Sequence, residues 1–260
     1  MQTAKPIELN GKPAAGGKFP LICTPLTGRT RDQILAEVKV VLGKKPDILE
    51  WRVDFFDGIA NATEVINVAA AIKQAAGNMP LLFTRRSIRE GGEKIALTED
   101  EVISLYKAVC ESRQVDLVDF EMSNHPAHIA LVREASKVND IKLILSFHNF
   151  SSTPGSKTLK QRFLQADQLG ADIAKVAVMP RNLDDVLTLL SATLAASQTL
   201  KIPLISMSMG PYGALTRLFG WAFGSALTFA VGANSSAPGQ VPIEDLKTVL
   251  AILQKSMTAE

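Results

Sequence analysis

The sequence is organised as eight short apolar runs, rich in β-branched residues, each followed by a segment whose apolar residues recur at helical spacing. The runs lie at residues 19–26, 47–54, 80–87, 115–122, 142–149, 173–180, 203–209 and 225–232. Eight such units in 260 residues, without a long linker or a low-complexity break, predict one (β/α)8 TIM barrel over residues 1–260. The rival architecture is a doubly wound open sheet, which normally has fewer strands and often a GxGxxG turn that this sequence lacks.

A turn signal precedes the first run. Asn10 and Gly11 form an Asn-Gly pair between two short extended segments, and this pair is the strongest short-range signal of a β-hairpin. We therefore expect a short N-terminal hairpin that closes the bottom of the barrel.

The charge and composition of the chain favour a small, anionic ligand. Its 28 Lys and Arg residues and 26 Asp and Glu residues are spread along the sequence, so no basic arm points to nucleic acid. Cys23 and Cys110 lack the spacing of a disulfide framework or a zinc site. The apolar part of the longest uncharged stretch, residues 218–233, is shorter than the roughly 20 residues of a spanning helix, and the N-terminus lacks a signal-peptide core. We expect a cytoplasmic protein without nucleic-acid or membrane partners.

Polar residues concentrate where the predicted strands end. In a (β/α)8 barrel the loops after the strands converge on the axis and build the active site, whereas the opposite face is structural. The residues at these ends are Glu50, Arg52, Asp54, Arg85, Arg86, Glu90, Asp119, Glu121, His148, Lys175, Met207 and Met209. The sequence therefore predicts one polar site at this face.

Lys175 lies on the sixth run among Ile173, Val176 and Val178, so its amine is expected inside the barrel. A desolvated neutral amine could attack a ketone. The alternative is a structural ion pair with Asp119 or with Glu121, and the residues alone leave both interpretations open.

His148 ends the run before Lys175, and neighbouring strands would bring both side chains to one substrate. An imine-forming lysine needs a proton shuttle, which a histidine can supply, although a hydrogen-bonded core histidine is an equally good interpretation. His125 and His128 are three residues apart without a third ligand nearby. We expect them at a helix start and no metal site.

Arginines and a loop suggest how a ligand would be held. Arg217 follows the seventh run on a predicted helix, where a guanidinium could bind a carboxylate through two hydrogen bonds, although a surface charge is the ordinary alternative. Residues 232–241 combine Ser, Gly and Pro. They predict a mobile lid that Ser236 and Gln240 order by contacting substrate.

Six strings, taken together and in order, resemble type I 3-dehydroquinate dehydratase over nearly the whole chain. They are EWR (50–52), FTRRSIREGG (83–92), SFHNF (146–150), ADIAKVAVMP (171–180), SMSMG (206–210) and SSAPGQ (235–240). The resemblance implies a cofactor-free dehydration of 3-dehydroquinate to 3-dehydroshikimate in the shikimate pathway, carried out by a homodimer.

The resemblance also implies a role for each site residue. Lys175 would form an imine with the ketone, His148 would transfer protons, Glu90 would orient His148, and Asp119 would support them. Arg217 would bind the substrate carboxylate. The ring hydroxyls would contact Glu50, Arg52, Arg86, Ser236 and Gln240, and the apolar walls would be Met207 and Phe229.

One position departs from the family, and two other functions compete. Pro25 stands where some members have a serine, so a hydroxyl contact from the first strand is in doubt. A class I aldolase or transaldolase would share Lys175 but would need phosphate-binding glycine turns after strands seven and eight. A barrel that only binds a metabolite would have no use for a buried lysine and histidine.

Overall fold

The structure, a computed structural model, describes residues 4–258 of the chain. Their strands, in chain order, are β1 (Glu8–Leu9), β2 (Lys12–Pro13), β3 (Leu21–Leu26), β4 (Ile48–Arg52), β5 (Leu81–Thr84), β6 (Leu117–Glu121), β7 (Lys142–Asn149), β8 (Ile173–Val178), β9 (Leu204–Ser208), β10 (Leu227–Val231) and β11 (Val241–Pro242). Strands β3 to β10 fall within the eight apolar runs, whose outermost residues mostly belong to the connecting loops.

A helix follows each of the strands β3 to β10. The helices are α1 (Arg31–Gly43), α2 (Ala62–Ala76), α3 (Glu99–Ser112), α4 (Pro126–Val138), α5 (Ser156–Gln168), α6 (Leu183–Thr199), α7 (Gly213–Phe219) and α8 (Ile243–Thr258). A capping box begins α3: Thr98 Oγ1 accepts from the N–H of Glu101, whose carboxylate accepts from the N–H of Thr98. Within residues 4–258, no helix is both long and apolar enough to cross a membrane.

The strands close into a barrel. From β3 to β9 each strand pairs in parallel with the next, and β10 pairs in parallel with β3. Between β9 and β10 a parallel bridge joins Leu204 to Ser225, and the N–H of Ala226 donates to Leu204 O at 2.7 Å. The (β/α)8 barrel predicted from the alternation of runs and helices is confirmed.

Two apolar layers hold the barrel together, because alternate residues of a strand point to opposite faces of the sheet. The outer layer lies between strands and helices and includes edge-to-face contacts among Trp51, Phe83, Tyr106 and Phe120. The inner layer, which we call the barrel floor, is a set of buried aliphatic residues near the strand starts: Leu21, Ile48, Leu82, Leu117, Ile144, Ile173, Ile205 and Leu227.

The predicted N-terminal hairpin is present and packs against the barrel floor. β1 and β2 pair in antiparallel fashion around Asn10 and Gly11, which adopt φ values of 52° and 70°. The N–H of Ala14 donates to Ile7 O at 2.8 Å. Ile7 and Ala14 are buried in the same cluster as the floor residues, so the hairpin shields the floor from water.

Pro25 lies inside β3, where proline is uncommon because it lacks the N–H of a ladder hydrogen bond. The N–H of Leu21 donates to Ala226 O on the β10 side at 3.0 Å, and the two-residue period of a strand directs the nitrogen of Pro25 to that side too. The pairing of β3 with β10 ends at Cys23. Pro25 therefore removes no hydrogen bond from that ladder.

The hairpin's contribution to stability can be tested at Ile7, which is 2% exposed. Ile7→Ala should lower the free energy of unfolding by about 2 to 5 kcal/mol, because truncation removes apolar contacts and leaves a cavity. Urea unfolding measures the loss. Val138→Ala, at a position that is 72% exposed, is the control and should change the value by less than about 0.5 kcal/mol. Equally small changes in both variants would mean that the hairpin does not seal the barrel.

Candidate active site

A pocket with about 460 Å³ of empty space, part of it open to solvent, lies at the C-terminal ends of the barrel strands. It is lined by every residue to which the sequence assigned catalysis or direct substrate contact: Glu50, Arg52, Arg86, Glu90, His148, Lys175, Met207, Arg217, Phe229, Ser236 and Gln240. The further lining residues are Gly91, Phe150, Ala177, Met209 and Ala237. Asp119, the supporting residue, is fully buried and bonded to Lys175.

Lys175 reaches the pocket from β8 and is 3% exposed. Its Nζ donates to Asp119 Oδ2 at 2.8 Å and lies 4.0 Å from Glu50 Oε1. The same nitrogen lies 4.5 Å from the centroid of the Phe229 ring. The ion pair with Asp119, one of the two interpretations of the sequence, is therefore present. Because Lys175 also lines the pocket, this pairing leaves it within reach of a ligand.

Asp119 connects Lys175 to a second buried cation, Arg86. Arg86 Nη2 donates to Asp119 Oδ1 at 2.8 Å, and its Nη1 donates to Glu121 Oε1 at 3.2 Å. Ser146 Oγ accepts from Arg86 Nη1 at 2.9 Å and donates to Asp119 Oδ1 at 2.6 Å. We call Asp119, Arg86, Glu121, Ser146 and Lys175 the central network. Two cations and two carboxylates compensate one another within it.

The protonation state of Asp119 follows from its neighbours. Burial by itself would raise the pKa of Asp119, but the charges of Arg86 and Lys175 outweigh burial and hold this pKa well below its ordinary value. Burial likewise opposes the charge of Arg86, whereas Asp119 and Glu121 raise the pKa of Arg86 above its usual range. Asp119 is thus a permanent carboxylate, which can orient an amine but does not supply a proton.

His148 and Glu90 form a second polar unit. His148 Nδ1 lies 2.8 Å from Glu90 Oε2, and the backbone N–H of His148 donates to the same oxygen at 3.1 Å. Burial, followed by the positive charges of Arg86 and Lys175, lowers the pKa of His148 well below its usual value. The imidazole is therefore neutral. With Nδ1 directed at the carboxyl group, Nε2 is the nitrogen left for a ligand.

Glu90 lies in a single 3-10 turn after β5 and is almost fully buried. Burial and the nearby charge of Glu121 raise the pKa of Glu90 to about 7. Ser123 Oγ donates to Glu90 Oε1 at 2.7 Å, while Oε2 faces His148, so both carboxyl oxygens have partners. A carboxyl group that titrates near neutrality can hold or release a proton beside the imidazole.

Arg217 is buried on α7, at 1% exposure, so the alternative of a surface helix charge is wrong. Its Nη1 donates to Phe229 O and its Nη2 to Pro238 O, both at 3.3 Å, while Nε has no partner. No carboxylate of residues 4–258 forms a salt bridge with it, and burial lowers the pKa of Arg217 to about 10. A desolvated guanidinium with only neutral acceptors is suited to receive an anion.

The loop at residues 232–241 contributes Ser236, Ala237 and Gln240 to the pocket lining. Arg52 donates to both carboxylate oxygens of Asp54, at 2.8 and 2.7 Å, and its Nη1 donates to Ser236 O at 3.3 Å. Gln240 Oε1 accepts from the N–H of Ser236 at 2.9 Å. The loop thus has partners within the protein, which its composition did not indicate, and lid motion stays a prediction.

The match to a protein family relates this barrel to known proteins. The family model described as Type I 3-dehydroquinase matches residues 22–257, which is nearly the whole of the described chain. The chain belongs to the type I 3-dehydroquinase family. The resemblance drawn from six sequence strings is confirmed.

Individual members of the type I 3-dehydroquinase family agree with this assignment. The chain is 71% identical over 257 residues to the 3-dehydroquinate dehydratase of Albidiferax ferrireducens, with 99% of this chain and 97% of the relative covered. The crystal structure of the enzyme from Geobacillus kaustophilus is 48% identical, with a TM-score of 0.93 over 97% of this chain and 98% of that chain. A type I enzyme from Clostridium difficile, solved with covalently modified comenic acid, is 38% identical, with a TM-score of 0.91 over 97% and 99%.

Three hydroxyl groups of this type I 3-dehydroquinase site were missed from the sequence. Ser123 bonds Glu90 and Ser146 bonds Asp119, as described above. Tyr106, on α3 outside the barrel, donates to Asp119 O at 2.6 Å and accepts from the N–H of Arg85 at 3.1 Å. Only Ser146 carried a local signal, because it lies two residues before His148 and hence on the same face of β7.

In the part of the chain that the structure describes, no group of three or more His, Cys, Asp or Glu side chains is placed to hold a metal ion. His125 instead caps α4, where its Nδ1 accepts from the N–H of Ala127 at 3.2 Å. His128 Nε2 lies 3.4 Å from Asp100 Oδ1. The helix start predicted at His125 and His128 is confirmed.

The lowered pKa of His148 can be checked by titration. A base buried beside cations binds a proton less readily, so His148 should stay neutral when the pH falls from about 7.5 to about 5.5. The ring nitrogen shifts in ¹⁵N-labelled protein report this directly, and a His148→Asn variant assigns the signal. The exposed His125 serves as the reference in the same spectra. Protonation of His148 at or above its ordinary pKa of about 6.5 would contradict the described environment.

Proposed function

We propose that this chain dehydrates 3-dehydroquinate to 3-dehydroshikimate, a step of the shikimate pathway, through an imine on Lys175. The observation that carries this proposal is the pocket itself, where a buried lysine, a neutral histidine and an arginine without an anionic partner converge. Family membership and the similarity to proteins named 3-dehydroquinate dehydratase support the same reaction.

Lys175 forms the covalent intermediate. Its amine attacks the substrate ketone, the carbonyl π bond breaks to give a carbinolamine, and loss of water leaves a protonated imine. Asp119, 2.8 Å from Nζ, holds the amine in position and compensates the cation. Because Asp119 stays ionised, His148 relays the protons: its neutral imidazole takes them from the Lys175 nitrogen and passes them to the departing oxygen, which leaves as water.

His148 transfers the protons of the elimination. The imine withdraws electrons from the adjacent carbon, so its C–H bond becomes acidic enough for a neutral imidazole to remove the proton. The enamine that results expels the hydroxyl group, which takes the proton from His148 as it leaves. Hydrolysis of the product imine then frees Lys175. Glu90 orients the ring through Nδ1. Because the pKa of Glu90 is about 7, its carboxyl group can also hold or release a proton beside the imidazole.

Arg217 binds the substrate carboxylate. Its unpaired Nε and the weak, neutral contacts of both Nη atoms leave hydrogen-bonding capacity for a planar anion. Membership of the type I 3-dehydroquinase family favours a carboxylated polyol over the phosphorylated substrates of sugar aldolases. The ring hydroxyls contact the polar lining residues Glu50, Arg52, Arg86, Ser236 and Gln240, and the apolar walls are Met207 and Phe229.

The expected homodimer rests on the resemblance to the family, whereas the expected location rests on the composition and N-terminus of the sequence. A homodimer, a cytoplasmic location and a single domain over residues 1–260 stay predictions. Gel filtration with light scattering measures the first of these.

Arg217 provides a test of substrate binding. Arg217→Ala should lower kcat/KM by about 30-fold or more, mainly through KM, because a buried charge-assisted contact contributes roughly 2 kcal/mol or more. Arg217→Lys keeps the positive charge but loses the planar guanidinium, so its kcat/KM should lie between that of the parent enzyme and that of Arg217→Ala. Arg181→Ala, at an exposed arginine, is the control and should match the parent enzyme. An unchanged KM in Arg217→Ala would mean that another arginine binds the carboxylate.

The imine can be trapped. Sodium borohydride added during turnover should convert the imine to a stable secondary amine, so peptide mapping should find substrate or product attached to Lys175. Lys175→Ala should abolish both the label and nearly all turnover, since the covalent route is lost. A label on another lysine, such as Lys94 or Lys142, would contradict the assignment.

Two variants separate imine formation from proton transfer. His148→Ala retains the lysine, so it should still form some trapped adduct while kcat falls by about 10² to 10⁴. Lys142→Ala removes a lysine at the start of β7, away from the pocket lining, and should leave both trapping and turnover unchanged. Loss of trapping in Lys142→Ala would locate the imine there.

A further inference from the structure

The ring of Phe229 lies against the amine of Lys175. Phe229 belongs to β10, and Lys175 Nζ lies 4.5 Å from its ring centroid, inside the range of about 6 Å in which a cation is attracted by the face of an aromatic ring. Phe229 is 4% exposed and Lys175 is 3% exposed. Water therefore screens this contact little, and such desolvated pairs are the stronger ones.

We propose that Phe229 is a catalytic residue whose ring face stabilises the positive charge of the protonated imine on Lys175. This inference rests on the proposed function, because it needs Lys175 to form the imine. It assigns the ring a charge-dependent role, whereas an apolar wall would only exclude water and shape the pocket.

The balance of the reaction shows why the ring matters more for the imine than for the free amine. An ammonium group and a ketone give a protonated imine and water, so the single positive charge is conserved. The nitrogen, however, goes from three N–H donors to one. The one N–H that remains can donate to a single acceptor, either Asp119 Oδ2, which lies 2.8 Å from Nζ before the reaction, or a group of the bound substrate. The ring needs no N–H donor, so its attraction persists after the imine has formed.

The backbone of Phe229 contacts a second cation of the pocket, the guanidinium of Arg217. Arg217 Nη1 donates to Phe229 O at 3.3 Å, while the ring of the same residue lies against Lys175. One residue of β10 thus contacts both the imine-forming nitrogen and the arginine proposed to bind the carboxylate. A shift of Phe229 along β10 would therefore alter both contacts.

Fluorination of the ring tests the charge-dependent role with little change of shape. Phenylalanine with one, two or three ring fluorines, inserted at position 229 by stop-codon suppression, presents a progressively less negative ring face. We expect log kcat/KM to fall steadily with the number of fluorines, by a total of about twofold to thirtyfold, the range that corresponds to the usual strength of the interaction. The rate of borohydride capture at Lys175 should fall in the same order.

Controls separate this effect from packing. The trifluorinated residue at Phe163, a fully buried ring on α5, should leave kcat/KM within twofold of the parent enzyme. Phe229→Leu keeps an apolar wall without a π face and should lose at least as much activity as the trifluorinated ring. The proposal would be overturned if the trifluorinated residue at position 229 left kcat/KM within twofold of the parent enzyme, or if Phe229→Leu kept full activity.

The same experiment distinguishes failure of this inference from failure of the proposed function. If borohydride does not label Lys175 in the parent enzyme, the imine mechanism is wrong and the ring has no imine to stabilise. If Lys175 is labelled and kcat/KM does not change across the fluorinated series, the imine mechanism is supported and only the role of Phe229 is wrong.

Discussion

The buried salt bridge between Lys175 and Asp119 is the interaction on which the site depends. An amine inside the barrel is costly to desolvate, and a nearby carboxylate compensates that cost only when the geometry is good and the remaining oxygen is also bonded. Asp119 meets both conditions, with one oxygen on Lys175 and the other on Arg86 and Ser146. The barrel floor beneath keeps water out. Removal of the Asp119 carboxylate would take the nearest anion from both Lys175 and Arg86, and breaking a buried ion pair in this way typically costs about 3 to 5 kcal/mol.

The other charges of the pocket are arranged around this pair with one clear exception. Arg52 is paired with Asp54, and Arg86 with carboxylates of the central network. Arg217 alone among the arginines lining the pocket has only neutral acceptors. An incoming carboxylate therefore gains most at Arg217, because the other guanidinium groups are already compensated. In the proposed reaction, this asymmetry would orient the substrate with its ketone toward Lys175.

Much of the fold and the site could be predicted from the sequence because both follow from periodicity. Alternating apolar runs and helical segments predict the barrel, and a barrel places strand-end residues such as His148 and Lys175 around one axis. The partners of these residues were harder to predict. Ser123 bonds Glu90 across 33 positions of sequence, and the burial of Arg217 follows from how α7 packs. Such contacts join residues that are far apart in the sequence or depend on helix packing, so no periodic pattern in the sequence predicts them.

The hydroxyl of Tyr106 has a consequence for how such a pocket can change. It accepts from the main chain of Arg85 and donates to that of Asp119, so a side chain from outside the barrel links the two strand ends that carry Arg86 and Asp119. This link from α3 adds to the direct pairing of β5 with β6, in which Thr84 stands opposite Asp119. Residues lining the cavity can be exchanged during divergence or redesign while the Tyr106 hydroxyl continues to link the ends of β5 and β6. A new substrate specificity can therefore evolve on an unaltered opening.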